Sequence, residues 1–366
     1  MKIVFCLSFQ FLWLITYVFS QSHCKERNDI VGEVRFDRSK DKALLLYMGA
    51  GHLEPYLSGS NQLRRCFASS LSLGDFNAAF FCAAHAVQFS IISAEKDLTS
   101  LLKEIDYYLL LLETYKSELA KKFILCYRET VATLIDKGET TGIDAKISYA
   151  DVCDLGPRNK LQELFHFHSV FRYYWLGYTE RCHHYIQESL AIAKKDSFFI
   201  VIIKFYQGKE TQKLCSFERL FHQELSNTLP FIAAGLTLLD MIKKKKNYSK
   251  TVEIDKIIAS IKVAASHAET NFRNRLELLE AERYGLAANH ESIVALHAYN
   301  KSIISSQKAG FLHEQGLACE KAGLYCKRMK DNENSLAYFN QALDCYEKWG
   351  SSVKVEFIRK ELGKLA

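Results

Sequence analysis

The sequence predicts an all-α fold, a right-handed solenoid of antiparallel helix hairpins with irregular repeats. Three observations carry it. Only Pro55, Pro157 and Pro230 interrupt 366 residues that are 48% apolar and 13% aromatic, so helix breakers are scarce where core-forming residues are plentiful. Apolar residues recur at helical spacing over most of the length, as in EKDLTSLLKEIDYYLLLLETYKSELAKKFILCYRETVATLID, which reads as two long helices. One pattern, a turn followed by a helix with small residues on one face, returns four times along the chain.

The first copy is LGDFNAAFFCAAHAV, with Gly74 in the turn and Ala79, Ala83 and Ala86 along the next helix. The second, LGYTERCHHYIQESLAIA, has Gly177 in the turn and Cys182, Ile186 and Ser189 at the same offsets. HESIVALHAYNKSIISSQKAG supplies Ala295, Tyr299 and Ser302, and KDNENSLAYFNQALDCYEKWG supplies Ser335, Phe339 and Ala342. Steps of four and then three keep each trio on one helical face. Small first and third residues let two helix backbones approach, and a larger middle residue fills the groove between hairpins. This is a tetratricopeptide-like design, although Ala342 lies 40 residues after Ser302 where a standard repeat takes about 34.

Four segments follow. Residues 1–22 are either a signal peptide or a first core helix, since MKIVFCLSFQFLWLITYVFSQS has the apolar run and the small residues Val18 and Ser20 of a cleavable leader, but also the make-up of a buried solenoid helix. Residues 23–137 hold the N-terminal repeats. Residues 138–157 lose the periodicity to Gly, Thr and Asp and read as a loop. Residues 158–366 hold the C-terminal repeats, closing with Trp349 in the last groove, Gly350 as helix stop and a final helix over 353–365.

Eleven cysteines lie singly within helical stretches, without the close pairs of a zinc site or the density of a disulfide scaffold, and read as reduced core thiols of a cytoplasmic chain. The alternative is the secretory pathway, if Met1–Ser20 is a cleaved leader. The sequons at Asn247 and Asn300 have meaning only in that case. A net charge of +6 and one basic run, Lys243 to Lys246, read as a solvated turn, give no case for nucleic acid, and no membrane association is expected.

Chemistry-bearing clusters are few. His166, His168, Cys182, His183 and His184 crowd one hairpin and offer an alternative reading as a metal-dependent enzyme, but on a helix His166 and His168 point about 200° apart, and the adjacent pair His183 and His184 diverges too. Cys82 and His85 stand one turn apart within an alanine-rich packing helix, a setting that blunts a thiol nucleophile. Glu277, Glu280 and Glu282 read as charged helical surface. Phe165, Phe167, Phe171, Tyr173, Tyr174 and Trp175 divide between core and a possible groove. No catalytic residue, cofactor or metal ligand is assigned.

The C-terminal text carries a family resemblance. Leu279-Glu280-Ala281-Glu282, then Ala295, Tyr299, Ser302 and Ile303, the helix from Glu314 to Lys321, and finally Ala342, Cys345-Tyr346, Trp349-Gly350 and Lys354-Val355 resemble the helical region of large hybrid signalling proteins. In those proteins a protein-kinase-like domain and an AAA-type ATPase precede the helical region, and GAF and histidine-kinase domains follow. The resemblance covers roughly residues 45–366 and implies a non-enzymatic scaffold that holds protein partners, signalling kinase or ATPase components among them. Their chemistry is not carried over. Gly208-Lys209 lacks the rest of a phosphate-binding loop, and kinase motifs are missing. The expected working surface is an open concave face with aromatic and Arg anchors.

Overall fold

The computed structural model describes residues 55–136, 160–178, 251–286 and 292–365, with scattered positions between 180 and 243. Segments 1–22 and 138–157, Ser189, and the side chains of Phe167 and His183 lie outside the described residues. The described residues are 88% helical and contain no strand.

The helices are α1 (Tyr56–Ser72), α2 (Phe76–Ser93), α3 (Leu98–Thr114), α4 (Glu118–Asp136), α5 (Lys160–Trp175), α6 (Thr251–His267), α7 (Glu269–Tyr284), α8 (Ser292–Ala309), α9 (Leu312–Arg328), α10 (Asn332–Trp349) and α11 (Ser352–Leu362). Chain neighbours pack as pairs, α1 on α2, α3 on α4, α7 on α8 and α9 on α10, and adjacent pairs are joined through α4 on α5 and α8 on α9.

One turn design recurs six times and sets this alternation. A residue in the left-handed region follows the helix, and the next N–H donates to the carbonyl five residues back. The left-handed residues are Gly74, Lys116, Gly177, Gly310, Lys330 and Gly350, and the closing bonds run from Asp75, Ser117, Tyr178, Phe311, Asp331 and Ser351 at 2.9–3.1 Å. Where Asp75, Asp331 or Ser351 is the closing residue, its side chain also accepts from the backbone N–H three residues on, so the stop of one helix is the cap of the next. Lysine at two of these positions pays a backbone cost of about 1 kcal/mol that glycine avoids. Gly310, Lys330 and Gly350 fall 20 residues apart, which gives hairpins of 40 residues in the C-terminal half.

Pairing within hairpins depends on close approach. A Cβ on Gly323 would lie 2.7 Å from the Phe339 ring, and one on Gly316 would lie 2.8 Å from the Tyr346 ring. These two glycines, seven residues apart on α9, form the slot into which α10 lays its aromatics. Gly323→Ala is expected to cost about 1–3 kcal/mol by overpacking, read as a lowered denaturant midpoint at unchanged slope.

The two halves also meet each other. The Tyr56 backbone N–H donates to Asn271 Oδ1 at 3.3 Å, and Ser351 Oγ donates to the Leu134 carbonyl at 2.7 Å. Ser352 donates to the Ile135 carbonyl, and α11 lies along α4. Gly350 sits against the Leu98 N–H at the start of α3. The chain is thus fastened between residues more than 200 apart in sequence. Trp175, Trp349, Phe272, Phe311 and Arg275 are buried in the contact between the halves.

Candidate functional site

Two regions stand out, a polar junction inside and an apolar edge outside. At the junction Arg275 of α7, 1% exposed, lies within 5.3–5.8 Å of the ring centres of Tyr56, Phe272 and Phe311. Its Nε donates to Glu314 Oε1 at 2.9 Å, and its Nη2 reaches the Ile92 carbonyl of α2 at 3.5 Å. Asn274 donates to Glu314 Oε2 at 2.5 Å and to Ser306 Oγ at 3.1 Å, so the carboxylate is fully engaged. Burying a charge is tolerated only with this density of partners.

Behind it, His313 stacks on Trp175 and leans on Trp349, with ring centres 5.4 and 5.2 Å away. Trp175 ends α5, which packs on α4 and so belongs in space with the N-terminal helices α1–α4, the N-terminal half of the described fold; it contacts Trp349 at 5.1 Å.

A second charged group runs along α9. Lys354 pairs with Glu320 at 2.6 Å beneath the faces of Trp175, Tyr346 and Phe357, and Tyr346 donates its hydroxyl to the same carboxylate at 2.7 Å. Burial drives the Lys354 pKa down against the pull of Glu320. Lys321 pairs with Asp240 at 3.0 Å, and although burial opposes its charge, Asp240 and nearby phenol and carboxylate groups hold its pKa up. Glu282 is held below the usual carboxylate range, because Lys243 and Lys321 outweigh burial, and Tyr299 donates to it. The stability from this carboxylate is present above pH about 4.5 and is lost as pH falls through its lower folded value.

These placements correct two expectations. Glu277 and Glu282 are buried, because α7 is covered by α6, α8 and α9, and only Glu280 stays partly open. Lys243 does not project into water as the start of a solvated turn, for it reaches inward to Glu282.

The residues expected to pack the repeats lie as follows. Ala79, Ala83, Ala86, Cys182, Ala295, Tyr299, Ser302, Ser335, Phe339, Ala342 and Trp349 are buried, and Gly74, Gly177 and Gly350 occupy the left-handed turn positions. Several do more than fill space. Ser335 Oγ donates to the Gly323 carbonyl at 2.9 Å, Ser302 Oγ donates to the Asn274 carbonyl at 2.8 Å, and Cys182 donates to the Val170 carbonyl at 3.6 Å. Asn300 is exposed but lies within α8, and Ser302 of its sequon points into the core.

The described histidines of that hairpin do not converge. His168 meets Thr130 Oγ1 at 3.0 Å, His166 packs near Tyr185, and His184 is exposed. Among the described residues no group of three His, Cys, Asp or Glu side chains is placed to hold a metal ion. Cys82 is buried beside Cys66 and its thiol pKa is pushed up by burial, whereas His85 turns to Gln88 at 3.1 Å. Burial likewise raises the thiols of Cys126 to about 12 and of Cys326 and Cys345 to about 11, values unsuited to nucleophiles.

The outer feature is the edge formed by the turns after α1, α3, α5, α7 and α9, which antiparallel pairing places on one side. Phe76 and Tyr115 join their rings there at 4.2 Å, flanked by Leu73, 74% exposed, and Leu119, 55% exposed. Tyr178 with Arg181 at 5.7 Å, Ile293, Val294 and Met329 are exposed at the other turns or helix starts of that edge. The opposite edge holds the fastening around Ser351 and Leu134. Among the described residues one helix, α2, is long and apolar enough to cross a membrane, and 72% of that stretch is buried within the fold.

No family model and no curated protein matches the chain.

Proposed function

We propose that the chain is a non-enzymatic scaffold, a right-handed tetratricopeptide-like solenoid that holds protein partners. The resemblance to the helical connector of hybrid signalling proteins suggests kinase or ATPase components as those partners. One observation carries this reading: four exposed apolar side chains, Leu73, Phe76, Tyr115 and Leu119, stand at neighbouring turns of one edge, two of them with their rings joined. Aromatic and aliphatic anchors with charged residues around them are what a protein interface uses, and solvated turns have no need of four such neighbours. Inside, His168 and the Glu314 carboxylate are engaged with other parts of the fold. Buried thiols such as Cys126, Cys319 and Cys345 suit a reducing cytoplasm.

The test is site-specific photocrosslinking in cells. A photoreactive residue at Leu73 or Leu119 is expected to give discrete protein adducts, with Tyr115→Glu abolishing them, while the same residue at the exposed Val263 of α6 gives none. Equal yields at edge and control positions would remove the basis of the proposal.

A further inference from the structure

His313 has 0% exposure, and among the described residues neither of its ring nitrogens has a hydrogen-bond partner. Most buried imidazoles are anchored by at least one acceptor. Among the described residues this one is held by aromatic faces, Trp175 of α5 on the N-terminal side and Trp349 of α10 on the C-terminal side. We propose that His313 is a proton-operated release between the N-terminal hairpins and the C-terminal hairpins, so that its protonation parts the halves and uncovers the aromatic surface between them.

Among the described residues the surroundings give a cation no support. From α7 the facing charge is Arg275, itself positive. Glu314, next in the chain, is committed to Arg275 and Asn274. From α5 come Trp175 and Tyr174, the latter with a buried hydroxyl that has no partner among the described residues. From α10 come Trp349 and Tyr346, whose hydroxyl is given to Glu320. From α11 comes Lys354, a second cation, paired with Glu320. The Ile92 carbonyl of α2 is taken by Arg275. Burial, reinforced by Arg275, keeps the imidazole neutral down to about 3 while the halves are closed. Once they part, the ring returns to its ordinary value near 6.5. Opening therefore takes up a proton, and its equilibrium constant rises about tenfold per pH unit below roughly 6.5, or about 25-fold between pH 7 and 5. The inference goes beyond the scaffold reading, since it concerns the inner face and not the turn edge.

The experiment uses the full chain carrying Trp13→Phe, so that Trp175 and Trp349 report alone. Their emission, hydrogen exchange in α2 and α7, and far-UV circular dichroism are followed from pH 7.5 to 4.5. The expected result is a red shift and faster exchange while helix content holds, with one fewer proton taken up in His313→Phe and His313→Gln. Identical pH profiles in parent and variants overturn the proposal, as does simultaneous loss of helix. Independently of any variant, ¹⁵N spectra of the histidines overturn it if the His313 ring titrates near pH 6.5 while the junction amides remain protected.

Discussion

Replacing Arg275 by Met is expected to destabilise the fold by about 3–5 kcal/mol, because it leaves a buried carboxylate without its cation. Glu314 would keep only Asn274 as a donor, and the aromatic box of Tyr56, Phe272 and Phe311 would lose the guanidinium around which it is built. The second effect is on joining the halves. Arg275 Nη2 contacts the Ile92 carbonyl, so its loss weakens a link between α7 and α2. The double variant Arg275→Met with Glu314→Gln removes both charges while leaving Asn274 an acceptor, and it is expected to recover most of the loss. Urea unfolding of the four members of the cycle checks this. A double variant as unstable as Arg275→Met alone would show that packing, and not the stranded charge, sets the cost.

Trp349→Ala is the other large effect, about 3–5 kcal/mol for deleting a fully buried indole. Trp349 sits 1% exposed against Trp175 at 5.1 Å, His313 at 5.2 Å and Tyr346 at 6.3 Å, so it closes the C-terminal hairpin and touches the N-terminal half at once. Its surroundings cannot collapse into the space without breaking the Gly350–Ser351 turn, whose N–H groups are tied to carbonyls of α10. The apolar void should therefore bind a small aromatic. Added indole is expected to raise the melting temperature of Trp349→Ala and leave the parent unchanged, which differential scanning calorimetry measures. Absence of any rescue would indicate that the site has rearranged.

Local features of this fold were legible in the sequence. The helices over 98–114 and 118–136 fall inside the stretch read as two long helices, and Gly74-Asp75 stands at a turn whose glycine adopts φ +75 and whose aspartate caps α2. Such features depend on residues a few positions apart. The buried charges were not legible, and α7 shows why. ETNFRNRLELLEAERY is too polar to look like a core helix, yet Asn271, Asn274, Arg275, Glu277 and Glu282 are all buried. Each is made tolerable by a partner from elsewhere in the chain, such as Tyr56, Glu314, Ser305 or Lys243. Periodicity describes one helix and its next neighbour, whereas α7 is covered by three helices and by the other half. The glycine slot on α9 was missed for a simpler reason. Gly316 and Gly323 lie on the first helix of a hairpin, whereas the recurring small-residue pattern belongs to the second. The seven-residue spacing that they share with Phe339 and Tyr346 was the available signal.

The bond from Ser351 to the Leu134 carbonyl also bears on how the chain comes to be folded. An open array of hairpins can nucleate anywhere and grow by nearest-neighbour steps, with each unit melting nearly on its own. Fastening α4 to the turn before α11 adds contacts 217 residues apart, and contacts of that separation slow folding. The N-terminal hairpins then form early during synthesis with an aromatic face uncovered, and they wait for α10 and α11 to emerge before it is sealed. Until α10 and α11 have emerged, the nascent chain presents the surface that the folded protein hides, and transiently exposed apolar surface of that kind is prone to aggregate.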